Sequence, residues 1–153
     1  MRSLAPRYLT SGAAQAWGNP DLAMTVFIPS DAAFAKFWKL SLADVASLPV
    51  ERFRSAFTPF VKYSVVPRPL APSDIKVGAT EPTWFAKQKP GAELRFVAGE
   101  AGARAAGAGA EGAGEAAGGA LAVRAKHSLA PLTADHWRCG KGWAHGVDSL
   151  LLF

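Results

Sequence analysis

The 153-residue sequence holds one cysteine, Cys139, so it can build neither an intrachain disulfide framework nor a cysteine-rich zinc site. Charged residues are few at 19%, and hydrophobic residues make up 50%, which excludes a chain kept disordered by its own charge. No apolar run approaches the ~18 residues that a membrane-spanning helix needs. The first residues, MRSLAPRYLTSGAAQAWG, lack a continuous apolar stretch and do not read as a signal peptide. The closing SLLLF is too short for the tail of a lipid-anchor signal. The single asparagine, Asn19, precedes Pro20 and forms no glycosylation sequon. Also missing are a Gly-x-Ser-x-Gly elbow, a His-Glu-x-x-His helix and a phosphate loop. What is present is a basic excess, 17 Lys and Arg against 12 Asp and Glu, or +5. That balance suits acidic surfaces, polysaccharide or lipid headgroups, and no nucleic-acid motif accompanies it. The length is that of one domain with enough core to fold without a staple.

Along the chain, Met24–Ile28 is a β-branched and aromatic run ended by Pro29, and reads as a buried strand. Ser30 is a good N-cap for a helix over Asp31–Lys39, with Phe34, Phe37 and Trp38 on one face. Ser41 caps a short helix through Ser47. A third helix opens at Pro49 or Val50, where Phe53, Phe57, Phe60 and Val61 make an apolar stripe that Pro59 bends or ends. Strands are predicted at Tyr63–Val66, Glu93–Val97, Leu121–Lys126 and Trp143–Leu152, and Ser73 caps a turn over Asp74–Val77. Residues 98–119 are almost wholly Ala and Gly and read as a flexible inserted loop, since glycine disfavours helix by ~1 kcal/mol each. Strand, then helices, then strands argues an α+β fold. Phe27, Phe34, Phe53, Phe57, Val65, Phe96 and Val147 are the expected core.

Two segments far apart resemble the fasciclin domain. Thr25-Val26-Phe27-Ile28-Pro29-Ser30-Asp31-Ala32-Ala33-Phe34 is similar to that family's Thr-Val-Phe-x-Pro-Thr-Asp-x-Ala-Phe motif. Gly142, His145, Asp148 and Leu151 fall in register with its closing Gly-x-x-His-x-x-Asp-x-x-Leu motif. The family's Tyr-His pair appears as Tyr63-Ser64, and its Asp-Ile pair as Asp135-His136. The resemblance covers roughly residues 20–153. It implies a single α+β domain built as a β-sandwich or wedge, with helices packed on one side. The Ala/Gly-rich insertion looks most like the plant fasciclin-like arabinogalactan proteins. Family members usually have helices ahead of the first motif, so residues 1–19 are expected to be an N-terminal remnant.

The function the resemblance implies is a non-enzymatic adhesion or interaction module at the cell surface or in the extracellular matrix, a plant cell wall if the subgroup holds. Its partner would be another protein or an acidic wall polysaccharide, with no cofactor and no metal. The motif residues Thr25, Phe27, Pro29, Asp31, Phe34, Tyr63, Gly142, His145, Asp148 and Leu151 are expected to be structural. Asp148 is expected to be partly buried, held by amides near the first motif or by the Thr25 or Ser30 hydroxyl. Asp135 and His136 lie where human-type members are implicated in receptor contact. Trp137 and Trp143 flank Gly140-Lys141-Gly142 beside Arg138, an aromatic and donor-rich grouping that suits sugar or protein; the plainer role for such tryptophans is to cap a core edge. Two alternatives remain. One is a diverged remnant without binding function. The other is a small hydrolase or metal-dependent enzyme using His136, Cys139, His145 and Asp148, although His136-x-x-Cys139 supplies only two of the four ligands of a structural zinc site.

Overall fold

A computed structural model describes residues 21, 23–47, 49, 60–61, 63–99 and 121–153. The segment 1–19, most of the third predicted helix with Phe53 and Phe57, and nearly all of the Ala/Gly-rich insertion lie outside the described residues. Seven strands form one mixed sheet: β1 Thr25–Pro29, β2 Val65–Val66, β3 Thr80–Pro82, β4 Glu93–Ala98, β5 Leu121–Arg124, β6 Leu129–Cys139 and β7 Gly142–Val147. Their spatial order is β2-β1-β7-β6-β5-β4-β3. All neighbours are antiparallel except β1 and β7, which run parallel with Thr25 opposite Trp143 and Phe27 opposite His145. The two segments that carry the resemblance are therefore adjacent strands.

The expected sandwich or wedge with helices on one side does not form. The sheet instead rolls until it is nearly a barrel. Phe27 on β1 and Phe96 on β4 have ring centroids 5.9 Å apart, although β7, β6 and β5 lie between those strands in the sheet. At the seam, the Trp84 N–H just after β3 donates to the Val65 carbonyl of β2 at 2.7 Å. The apolar face of one half-sheet is thus covered by the other half, around Phe27, Val66, Leu70, Leu94, Phe96, Val123 and Val147. On the other face of β1 and β2, Met24, Val26 and Val65 form a separate small buried cluster. The described helices are short: α1 Asp31–Trp38 and α2 Leu42–Ser47. Ser30 caps α1, its Oγ accepting from Ala33 N–H at 3.2 Å, and Lys39 closes it in the left-handed region. Helix α1 packs Ala33 and Phe34 on Val61 and Leu150, at the end where β1 and β7 finish.

Two strands depart from the sequence reading. β3 is only three residues long and ends in Pro82. β6 is the longest strand, at eleven residues, and contains Pro131. It serves both halves of the sheet: Leu129–Pro131 pair with β5, and Leu132 and His136–Cys139 pair with β7. Between them Thr133, Ala134 and Asp135 stand opposite the single Gly146, a bulge that sharpens the bend. A Cβ on Gly146 would overlap the Thr133 hydroxyl, which would have to rotate away to admit it. Of the expected core, Phe27, Phe34, Val65, Phe96 and Val147 are all buried.

Candidate functional site

The Pro-rich segment after β2 sets the problem that the motif residues solve. Pro67, Pro69 and Pro72 have no N–H, so Pro67–Pro72 cannot join a ladder, yet Leu70 is fully buried. Thr25 and His145 supply what the ladder would have supplied. The Thr25 hydroxyl accepts from Leu70 N–H at 2.7 Å and donates to the Arg68 carbonyl at 2.8 Å. His145 Nε2 lies 2.8 Å from the Leu70 carbonyl, which can only accept, so Nε2 carries the proton. Both polar groups of Leu70 are thereby fixed, one by each motif. His145 is buried between Phe27, 5.7 Å away, and Trp143, stacked at 6.2 Å and 11°. Burial holds the imidazole below the ordinary histidine pKa. The Leu70 carbonyl opposes that shift, and the nearby His136 adds to it.

The remaining motif residues sit in the scaffold. Gly142 is required by close approach, because a Cβ there would overlap the Met24 carbonyl. Pro29 ends β1, Asp31 lies in the first turn of α1, and Phe34 and Leu151 are buried. Tyr63 stacks on Phe153 at 4.5 Å and meets Phe85 edge-on at 5.1 Å. Ser64, where the family pattern has histidine, is buried; its hydroxyl donates to the Phe60 carbonyl at 2.9 Å. Asp148 is half-buried, and its N–H donates to Pro131 at 3.0 Å. Its carboxylate has no hydrogen bond among the described residues, and the Thr25 and Ser30 hydroxyls expected to serve it are engaged elsewhere.

The exposed candidates gather on the β6–β7 hairpin, whose two-residue turn places Gly140 at its first position with φ 58°. Asp135 lies in the β6 bulge rather than on a turn. Its N–H donates to the Thr133 hydroxyl at 3.2 Å, and its carboxylate accepts from that hydroxyl at 3.3 Å. His136 is exposed, with Nδ1 3.0 Å from the Ala134 carbonyl, and it stands directly opposite His145. Trp137 is 51% exposed. Trp143 is half-buried against His145, so of the two tryptophans only Trp137 is offered outward.

The geometry does not assemble the enzyme-like alternative. Cys139 pairs with Gly142 at the exposed tip, and His136 pairs with His145 three positions along. At ~3.4 Å per residue that is about 10 Å. Asp148 lies beyond the opposite end of β7. No three His, Cys, Asp or Glu side chains among the described residues are grouped to hold a metal ion. No helix among them is long and apolar enough to cross a membrane.

Among solved structures, the chain superposes on a FAS1 domain pair from the insect cell adhesion molecule fasciclin I. The TM-score is 0.60 at 17% identity, over 97% of this chain and 45% of the other. The chain has a fasciclin-like (FAS1) fold. No family model and no curated protein matches it. Within the FAS1 fold, the parallel β1–β7 pair unites the two motifs, and the β6 hairpin carries the exposed candidates. Sequence reasoning missed β6 as a strand and missed Leu70 as the residue both motifs hold. The Gly140-Lys141 pair was an available hairpin signal for the first. The proline run, with its shortage of N–H groups, was the signal for the second.

Proposed function

We propose that this chain is a non-enzymatic adhesion or interaction module of the cell surface or extracellular matrix, with its contact surface on the β6–β7 hairpin. One observation carries the reading: the chain shares its fold, over 97% of its length, with domains from a cell adhesion molecule. The hairpin suits a protein partner. Trp137 offers a large, half-exposed ring with few rotamers to lose, as interface anchors do, and the exposed polar residues Asp135, His136 and Arg138 lie along the same strand. A cell-wall setting and an acidic wall polysaccharide as partner enter this proposal from the sequence resemblance and the net charge of +5.

The test is adhesion of cells, or of matrix-protein-coated beads, to the immobilised domain, with albumin as the blank. Adhesion above the blank that falls with Trp137→Ala is expected. Adhesion no better than albumin would overturn the module reading, and adhesion untouched by Trp137→Ala would move the contact surface off the hairpin.

A further inference from the structure

The β3–β4–β5 half of the sheet carries a charge arrangement that its own folding does not explain. Arg95 on β4 stands directly opposite Arg124 on β5, and both are exposed. Like charges directly opposite on adjacent strands repel and destabilise the pair. Neither arginine has an ion pair among the described residues, where the ion pairs are Arg68–Glu81 and Lys141–Asp21. The wider segment is basic too. Lys76, Lys87, Lys89, Arg95, Arg124 and Lys126 stand against Glu81 and Glu93, and Glu81 is buried and tied to Arg68. The row through the arginines runs from Thr80 on β3 to Leu129 on β6.

We infer that the outer face of β4 and β5 binds an anionic polysaccharide, with Arg95 and Arg124 each engaging a carboxylate or sulfate of neighbouring sugars. Adjacent strands lie ~4.8 Å apart, so the two guanidinium forks form a close pair, each able to take a carboxylate through two parallel hydrogen bonds. An anion between them removes the cross-strand repulsion that the free protein carries. Nucleic acid fits this face less well. Thr80, Pro82, Glu93, Arg95 and Arg124 include no ring on which a base could stack. The inference rests on the interaction-module reading, whose acidic polysaccharide partner it places on a surface separate from the β6–β7 hairpin.

The experiment is chromatography on immobilised polygalacturonate, neutral dextran and duplex DNA, with a salt gradient, for the wild type, Arg95→Gln/Arg124→Gln, and Lys36→Gln/Lys39→Gln, two exposed lysines at α1, as a charge-matched control. Wild type is expected to be retained on polygalacturonate at low salt and to pass through dextran. The arginine double variant should lose about tenfold in affinity per arginine, from the strength of charge-assisted hydrogen bonds, while Lys36→Gln/Lys39→Gln elutes much closer to wild type. The arginine variant's urea midpoint should equal or exceed that of wild type, because the repulsion has gone, so lost binding cannot be ascribed to unfolding. Retention of the arginine variant at the wild-type salt concentration, or no retention of wild type, overturns the site. Stronger retention on DNA than on polygalacturonate overturns the glycan assignment. Running the bead-adhesion assay on the same arginine variant separates the two readings, since hairpin-mediated adhesion should survive it.

Discussion

Replacing Thr25 with valine tests the clamp on Leu70 with almost no change of shape. Thr25 is fully buried, and its hydroxyl makes two bonds, from Leu70 N–H at 2.7 Å and to the Arg68 carbonyl at 2.8 Å. Valine keeps the branched β-carbon that suits a strand and removes both bonds. Leu70 N–H is then left in a dry interior, at a cost of about 1–3 kcal/mol, and the half-buried Arg68 carbonyl loses a bond worth about 0.5–1.5 kcal/mol. The extra methyl of valine returns up to about 0.8 kcal/mol. The expected net loss is about 2–3 kcal/mol. Thr25→Ser reverses the bookkeeping, because it keeps both hydrogen bonds and deletes a buried methyl, for a loss of about 1 kcal/mol. Urea denaturation followed by tryptophan fluorescence, with unchanged slopes, gives both numbers. Valine should be the more damaging substitution. If Thr25→Val is as stable as wild type, or more stable than Thr25→Ser, then Leu70 N–H is satisfied in some other way and the clamp is not what holds the Pro-rich segment.

Three further outcomes follow from the same geometry. Stability should fall as pH drops below about 6.5. In that window the unfolded chain protonates His145 and the folded one, whose imidazole is held below its ordinary pKa, does not, so up to about 1.4 kcal/mol per pH unit is lost until the folded pKa is passed. The difference between wild type and His145→Gln in denaturation at pH 7.5 and pH 5.5 isolates that contribution, and an identical difference at both pH values would refute it. Gly142→Ala should cost about 2–3 kcal/mol or prevent folding, since the clash is with the Met24 backbone, whereas Gly146→Ala meets a rotatable Thr133 side chain and should cost less; thermal melts rank them. Asp148→Ala should change stability by no more than about 0.5 kcal/mol, because its carboxylate has no hydrogen bond among the described residues, and a larger loss in urea would mean that a partner was missed.

The strands with a strong local signal were legible and the others were not. Thr25–Ile28 and Glu93–Val97 announce themselves by β-branched runs or by alternation, and both are strands with the expected burial. β6 has neither signal: Pro131 interrupts it, and a bulge at Thr133–Asp135 breaks the alternation that a period-two reading needs. The tail failed in the opposite sense. Its apolar run from Leu150 to Leu152 looked like strand, but β7 stops at Val147, and Leu150 and Leu151 are buried by packing outside the ladder. The barrel-like closure could not be read locally at all. It rests on contacts such as Phe27 with Phe96 and Trp84 with Val65, between residues far apart in sequence, whereas the helical stripes from 31 to 62 gave a visible and misleading case for a helical layer.

The candidate site divides along the same line, and the division has a physical cause. A residue that fixes the backbone of a distant segment must have one side-chain chemistry at one place. Thr25 needs a hydroxyl that both donates and accepts, and His145 needs a donor long enough to reach Leu70 from the next strand. Such residues come embedded in patterned strands, so a motif marks them even when the segment they hold is unknown. Asp135, His136 and Trp137 hold no distant element. Asp135 and His136 bond only within the bulge, and Trp137 lies half open. Arg95 and Arg124 are a further step removed from the sequence, being 29 positions apart and opposed only by strand register. What the domain grips was therefore the least legible part, because a surface arises from the pairing of strands, and the pairing is the step that local pattern leaves open.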